Sequence, residues 1–133
     1  KVWRLHGELH REDGPAREWA NGAKEWRLHG KLHREDGPAV EEAGGSKQWW
    51  FYGKCHREDG PAQEYANGTK VWRLSNKLHR EDGPAIESVC GTKQWFLNDE
   101  EVHPETLVDL QLSRGVFCYY DKQTDTLHFD ENT

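Results

Sequence analysis

The chain has no methionine, only three cysteines, and a hydrophobic fraction of 34%. Each shortage excludes something. So little apolar material does not fill a thick two-layer core, because small domains already bury a modest share of their surface. No apolar run approaches the roughly 20 residues of a membrane-spanning helix, and no charged-then-apolar leader opens the sequence. A cytoplasmic protein with no membrane partner is therefore expected. Three cysteines without a CxxC pair do not make a disulfide framework and favour a reducing compartment. Basic residues are also in deficit, 18 against 24 acidic ones, so the basic face of a nucleic-acid binder is missing and no direct nucleic-acid partner is expected. Phosphate-binding, dinucleotide and zinc patterns are absent too. Neither a cofactor nor a metal is expected, and the chain reads as a non-enzyme.

Disorder is excluded by what is present. The chain holds seven tryptophans, whereas disordered chains are poor in aromatics. The formal charge of −6 is also uneven. Residues 1–92 balance at 15 basic and 15 acidic side chains, and residues 93–133 carry 3 basic and 9 acidic ones. An acidic end joined to a neutral body suits solvation, or contact with a partner that has a basic surface.

The neutral body is a repeat. Lys1, Lys24, Lys47, Lys70 and Lys93 recur at a constant spacing of 23. Two residues on stand Trp3, Trp26, Trp49, Trp72 and Trp95, then Leu5, Leu28, Phe51, Leu74 and Leu97. His-Arg-Glu-Asp-Gly-Pro-Ala follows at 10–16, 33–39, 56–62 and 79–85. Self-similarity at this period marks an array in which each unit buries its face against its neighbours.

Local signals are β. Trp and the residue two places on share one side of a strand, and these ten residues are the expected core. His6-Gly7, His29-Gly30, Tyr52-Gly53 and Ser75-Asn76 supply the positive φ of a hairpin turn. A three-residue turn with a Gly bulge would set Trp3 opposite Leu9, and packing favours that form. Asp-Gly-Pro then breaks the second strand, with Gly in strained dihedrals. Full burial of a Trp removes ~150–250 Å², worth ~4–6 kcal/mol as an upper bound.

The fold class is therefore mainly all-β: an antiparallel β-hairpin repeat meander or solenoid over residues 1–103, its fifth copy degenerate. Residues 104–133 form a small α+β cap. Leu107, Val108, Leu110 and Leu112, ahead of Gly115, read as a short helix with an acidic start. Residues 116–120 and 126–129 read as two strands. The chain opens directly inside a unit at Lys1: either the first copy is bare, or residues precede it, or another subunit pairs with this edge, since an exposed strand edge invites self-association.

The 23-residue length, the aromatic strand, the Gly turn and the stretch Gly30 to Ala39 resemble MORN-like repeats, in the variant form found in bacteria, phages and giant viruses. The resemblance covers residues 1–103. It implies a β-hairpin solenoid that serves as a contact surface or scaffold.

Constant residues of a repeat hold the scaffold and varied ones face a partner. The varied strand positions include Arg27, Trp50, Arg73 and Phe96, and Tyr52 joins Trp50 in the most aromatic copy. Trp, Tyr and Arg are what hot spots use. With Glu100, Glu101 and Asp109 from the acidic end, they are the candidate partner-binding set. The expected function is binding another protein through an elongated β surface, in its sharpest form as a phage or viral inhibitor of a host defence or transcription enzyme. The alternative is metal or ligand binding by the His, Glu and Asp rows. A Cys118, His128 and Asp130 set is the weakest candidate for chemistry, as no oxyanion loop accompanies it.

Overall fold

A computed structural model describes residues 1–130 of the chain; the last three residues of the expected cap lie outside the described residues. The protein is mainly β. Eight two-residue strands, from Arg17–Glu18 to Lys93–Gln94, form one continuous antiparallel sheet in chain order. Each unit contributes two of them and then makes an excursion. After Lys24–Glu25 the chain bends at Trp26, forms the hairpin Arg27–Leu28 and Lys31–Leu32, passes through the 33–39 loop and returns as Val40–Glu41.

Register in the sheet sets the recurring Lys and Glu opposite one another. Lys24 stands opposite Glu18 and Glu41, Lys47 opposite Glu41 and Glu64, and Lys70 opposite Glu64 and Glu87. Opposite charges directly across a pair favour this register, worth about 0.2–1 kcal/mol each. A slip by one residue would put that row on the other face.

The excursions form a second column. Gly30 N–H donates to Leu9 O at 2.8 Å, and Arg11 N–H to Arg27 O at 3.1 Å. The same two bonds recur between later units, for example from Gly53 to Leu32 and from Arg34 to Trp50.

The hairpin turn differs from the expected bulge. Arg4 pairs with Leu9 and Leu5 with Glu8, leaving His6 and Gly7 as a two-residue turn with φ of 52° and 81°. Both central residues in the left-handed region define the type I′ turn, whose twist matches the strands. Trp3 therefore does not face Leu9.

Core placement is also corrected. Ala16, Ala39, Ala62 and Ala85 are fully buried, at 0% exposure. Each closes a crossing: Trp26 N–H donates to Ala39 O, and Ala39 N–H donates to Gln48 O of the next unit. A larger side chain has no room where two backbones approach this closely. Trp3, Trp26, Trp49 and Trp72 are half-buried, whereas Trp95 is 5% exposed. Leu28, Leu74 and Leu97 are half-buried, but Leu5 and Phe51 are exposed. The thin array leaves one side of each hairpin open to water, so Trp burial falls well short of its upper bound.

Beyond the fifth copy comes helix α1 (Pro104–Ser113). His103 caps it by accepting the Glu105 N–H on Nδ1 at 3.1 Å, and Pro stands in its first turn, where a missing donor costs nothing. Gly115, at φ 79°, ends it. The hairpin Cys118–Asp121 and Thr126–Phe129 follows, and Tyr120 meets Trp95 edge-on at 6.0 Å between ring centroids. That contact explains why Trp95 is the most buried of the five repeat tryptophans.

Candidate binding surface

The recurring loop is built around its arginine. Arg34 Cζ lies 3.9 Å from the centre of the Trp26 ring, and Arg11, Arg57 and Arg80 repeat that distance over Trp3, Trp49 and Trp72. Nε of Arg34 donates to Asp36 at 3.0 Å, and another guanidinium nitrogen donates to Pro38 O at 3.1 Å. A desolvated cation on an indole face is a favourable electrostatic contact. It also fixes the loop, because Trp and Arg are eight residues apart in every full copy.

That guanidinium accounts for the glycine of Asp-Gly-Pro. Gly14, Gly37, Gly60 and Gly83 are not among the residues with positive φ, contrary to the strained dihedrals expected. A Cβ on Gly37 would sit 2.9 Å from Arg34 Cζ, and one on Gly83 would sit 2.6 Å from Arg80 Cζ. Gly lets the guanidinium approach this closely, and a Cβ there would make it shift.

The loop histidines are committed at both ring nitrogens. Nδ1 of His10, His33, His56 and His79 accepts the backbone N–H of His29, Tyr52, Ser75 and Asn98 in the next unit, at 2.9–3.0 Å. Nε2 faces Glu12, Glu35, Glu58 and Glu81 at 3.2–3.5 Å. Among the described residues, no group of three His, Cys, Asp or Glu side chains is arranged to hold a metal ion, and no helix is long and apolar enough to cross a membrane.

Successive loops enclose grooves. Arg34 to Gly37 and His56 to Asp59 line one of about 770 Å³, floored by Trp49, Trp50 and Phe51. Grooves of about 650 and 630 Å³ repeat it on either side. The carboxylates rim these grooves, and Glu12, Glu35 and Glu58 are 82%, 72% and 83% exposed along their side chains. Arg57 beside Asp59 holds that carboxyl below its ordinary range.

Comparison with known protein families, with curated proteins and with solved structures finds no match to this chain. Its site is thus read from its own residues.

Of the predicted partner-binding residues, Arg27, Trp50, Arg73 and Phe96 hold equivalent places in successive units, whereas Asp109 lies on α1. Each unit adds two strands about 4.8 Å apart, hence roughly 9.6 Å of rise, so Arg27 and Glu101 belong to distant units. Arg27 is half-buried, with Nε on Glu25 at 2.9 Å and a second nitrogen on Gly30 O at 2.7 Å. Arg73 likewise binds Gln63 and Asn76 O. Among the described residues no Arg stacks on Trp50, whose indole N–H donates to Gln48 Oε1 at 2.9 Å. Phe96 is half-buried, and Glu100, Glu101 and Asp109 are exposed. Tyr52 is 52% exposed, stacks on His33 at 3.9 Å and meets Phe51 edge-on at 4.7 Å. Its φ of 47° is rare for a bulky side chain.

Cys118 and His128 are not brought together. Cys118 pairs with Phe129 and Tyr119 with His128, and alternate residues of a strand point to opposite faces. Burial, aided by Glu105, raises the Cys118 thiol above its ordinary value. His128 stacks on Tyr119 and faces Thr126 instead. Sequence reading missed the Arg–Trp stack and the grooves; their only signal was the constant spacing of eight.

Proposed function

We propose that this MORN-like chain is a non-catalytic repeat module that binds another protein along its elongated β surface, with an inhibitor that docks on an enzyme as the sharpest form. The observation that carries this reading is the third copy. Phe51 and Tyr52 are both exposed there, and Tyr52 is held rigidly by His33 through a ring stack and a backbone hydrogen bond in a turn that an Asn or Gly would occupy more cheaply. A rigid, exposed aromatic pair loses little entropy on docking, which suits a hot spot.

The test is affinity capture by the intact chain, read by mass spectrometry, beside a Trp50→Ala, Tyr52→Ala double variant whose fold is checked by circular dichroism. One stoichiometric partner, lost with the double variant, supports the reading. Equal capture by both moves the contact off this cluster, and no partner for a folded intact chain overturns the reading.

A further inference from the structure

The third groove, between units 3 and 4, is lined in part by the chain's own cap. α1 sends Gln111 into it, with the side-chain amide donating to Glu81 O at 2.8 Å. Just past α1, two guanidinium nitrogens of Arg114 engage the two carboxylate oxygens of Glu81. Glu81 is 35% exposed as a result, half or less of the value at Glu12, Glu35 and Glu58.

Those three carboxylates stand in the same loop sequence, each against the Nε2 of its own histidine. The groove between units 2 and 3 sets two arginines against four carboxylates. Arg34 and Arg57 are spent on Trp, Asp and Pro carbonyl contacts, so the glutamates keep unused acceptor capacity. Leu28 and Phe51 add apolar floor to the first two grooves.

Resting on the protein-binding reading and narrowing it, we propose that the loop face of units 1 to 3 docks an arginine-bearing helix of the partner, whose guanidinium groups pair with Glu12, Glu35 and Glu58 as Arg114 pairs with Glu81. Arg fits better than Lys, because its planar fork meets a carboxylate through two parallel bonds. Spacing follows from the two lattices. Units rise by roughly 9.6 Å and seven helical residues by about 10.5 Å, so arginines two turns apart fall in register with successive glutamates.

The experiment titrates a synthetic helical peptide, with three arginines seven residues apart, into the intact chain by calorimetry. Its controls are a scrambled peptide of equal composition and an Arg-to-Lys peptide. The expected result is binding that weakens about tenfold or more for a Glu12→Gln, Glu35→Gln, Glu58→Gln variant and several-fold for both control peptides. Single variants, each expected to lose about two- to threefold, keep the test open if the triple variant fails to fold. Undetectable binding, equal affinity for the scrambled peptide, or unchanged affinity in the triple variant overturns the proposal. A natural partner still captured by the triple variant overturns it while the protein-binding reading stands; no partner at all removes that reading instead.

Discussion

At Gly60 a Cβ would lie 2.9 Å from Arg57 Cζ, and that guanidinium is pinned over Trp49 and bonded to Asp59 and Pro61 O. It cannot step aside without giving up one of these contacts. Gly60→Ala is therefore expected to cost about 1–3 kcal/mol in thermal or urea unfolding. Gly44 is the control, since nothing lies within 4 Å of a Cβ there and its φ is not positive. Gly44→Ala should be neutral or stabilise by about 0.4–1 kcal/mol through the unfolded state. Equal effects at the two positions would refute the arginine-approach account. The three thiols make a second residue-level prediction. Cys90 is exposed, and its bond with Thr92 lowers its pKa. Cys55 is buried, and burial pushes its thiol up to about 11. Maleimide at neutral pH should label Cys90 first and Cys118 more slowly, with Cys55 protected until the array opens. Legibility at this scale was partial. Cys55 stands where other copies have Leu, so its burial could be read off, whereas the buried Ala row recurs with the period but is too small to stand out as core beside Trp and Leu.

The cap is the element whose attachment can be measured. Arg114, bonded to Glu81, holds that carboxyl below its ordinary 4.5. A depressed pKa in the folded state means the contact stabilises fully above the ordinary glutamate range and is lost as pH falls through the folded value. Acid should thus loosen the cap below about 4.5, seen as a change in Trp95 and Tyr120 signals. Glu81→Gln should weaken that step, and an unchanged acid profile in the variant would contradict the assignment. Trp95 is the other anchor, at 5% exposure with Tyr120 edge-on. Trp95→Ala should cost about 3–5 kcal/mol, against roughly 2–3 kcal/mol for the half-buried Trp26; comparable midpoint shifts would mean the cap adds nothing to that burial. The helix and terminal hairpin were legible because Leu107, Val108, Leu110 and Leu112 fall in a stretch without Gly or Pro that ends at Gly115, and because residues 122–125 form a turn stretch between two strand-like runs. Turn type was not, because a bulky Tyr at its first position is a poor left-handed residue, and the backbone N–H donated there to the preceding unit's histidine is a nonlocal bond.

Across the whole molecule, one row of the sheet runs Glu18, Lys24, Glu41, Lys47, Glu64, Lys70, Glu87, Lys93, each opposite the next. The 23-residue period announced the array, but not that Lys and Glu from different units would alternate, since pairing depends on where the chain returns from its excursion. Strands of two residues carry few ladder bonds, so register rests heavily on such side-chain pairs. A glutamate substituted at Lys47 would stand opposite Glu41 and Glu64 at once, setting like charges where the register now sets opposite ones. Lys47→Glu should destabilise by about 1–2 kcal/mol at low ionic strength. Lys47 is exposed and Glu41 and Glu64 are half-buried, so 1 M salt, with a Debye length near 3 Å, should recover part of that loss. Lys47→Ala removes attraction without adding repulsion and should lose less, with a weaker salt response. If both variants unfold at the same midpoint whatever the salt, the row does not set register, and backbone bonding and the Trp–Arg stacks alone hold the units in line.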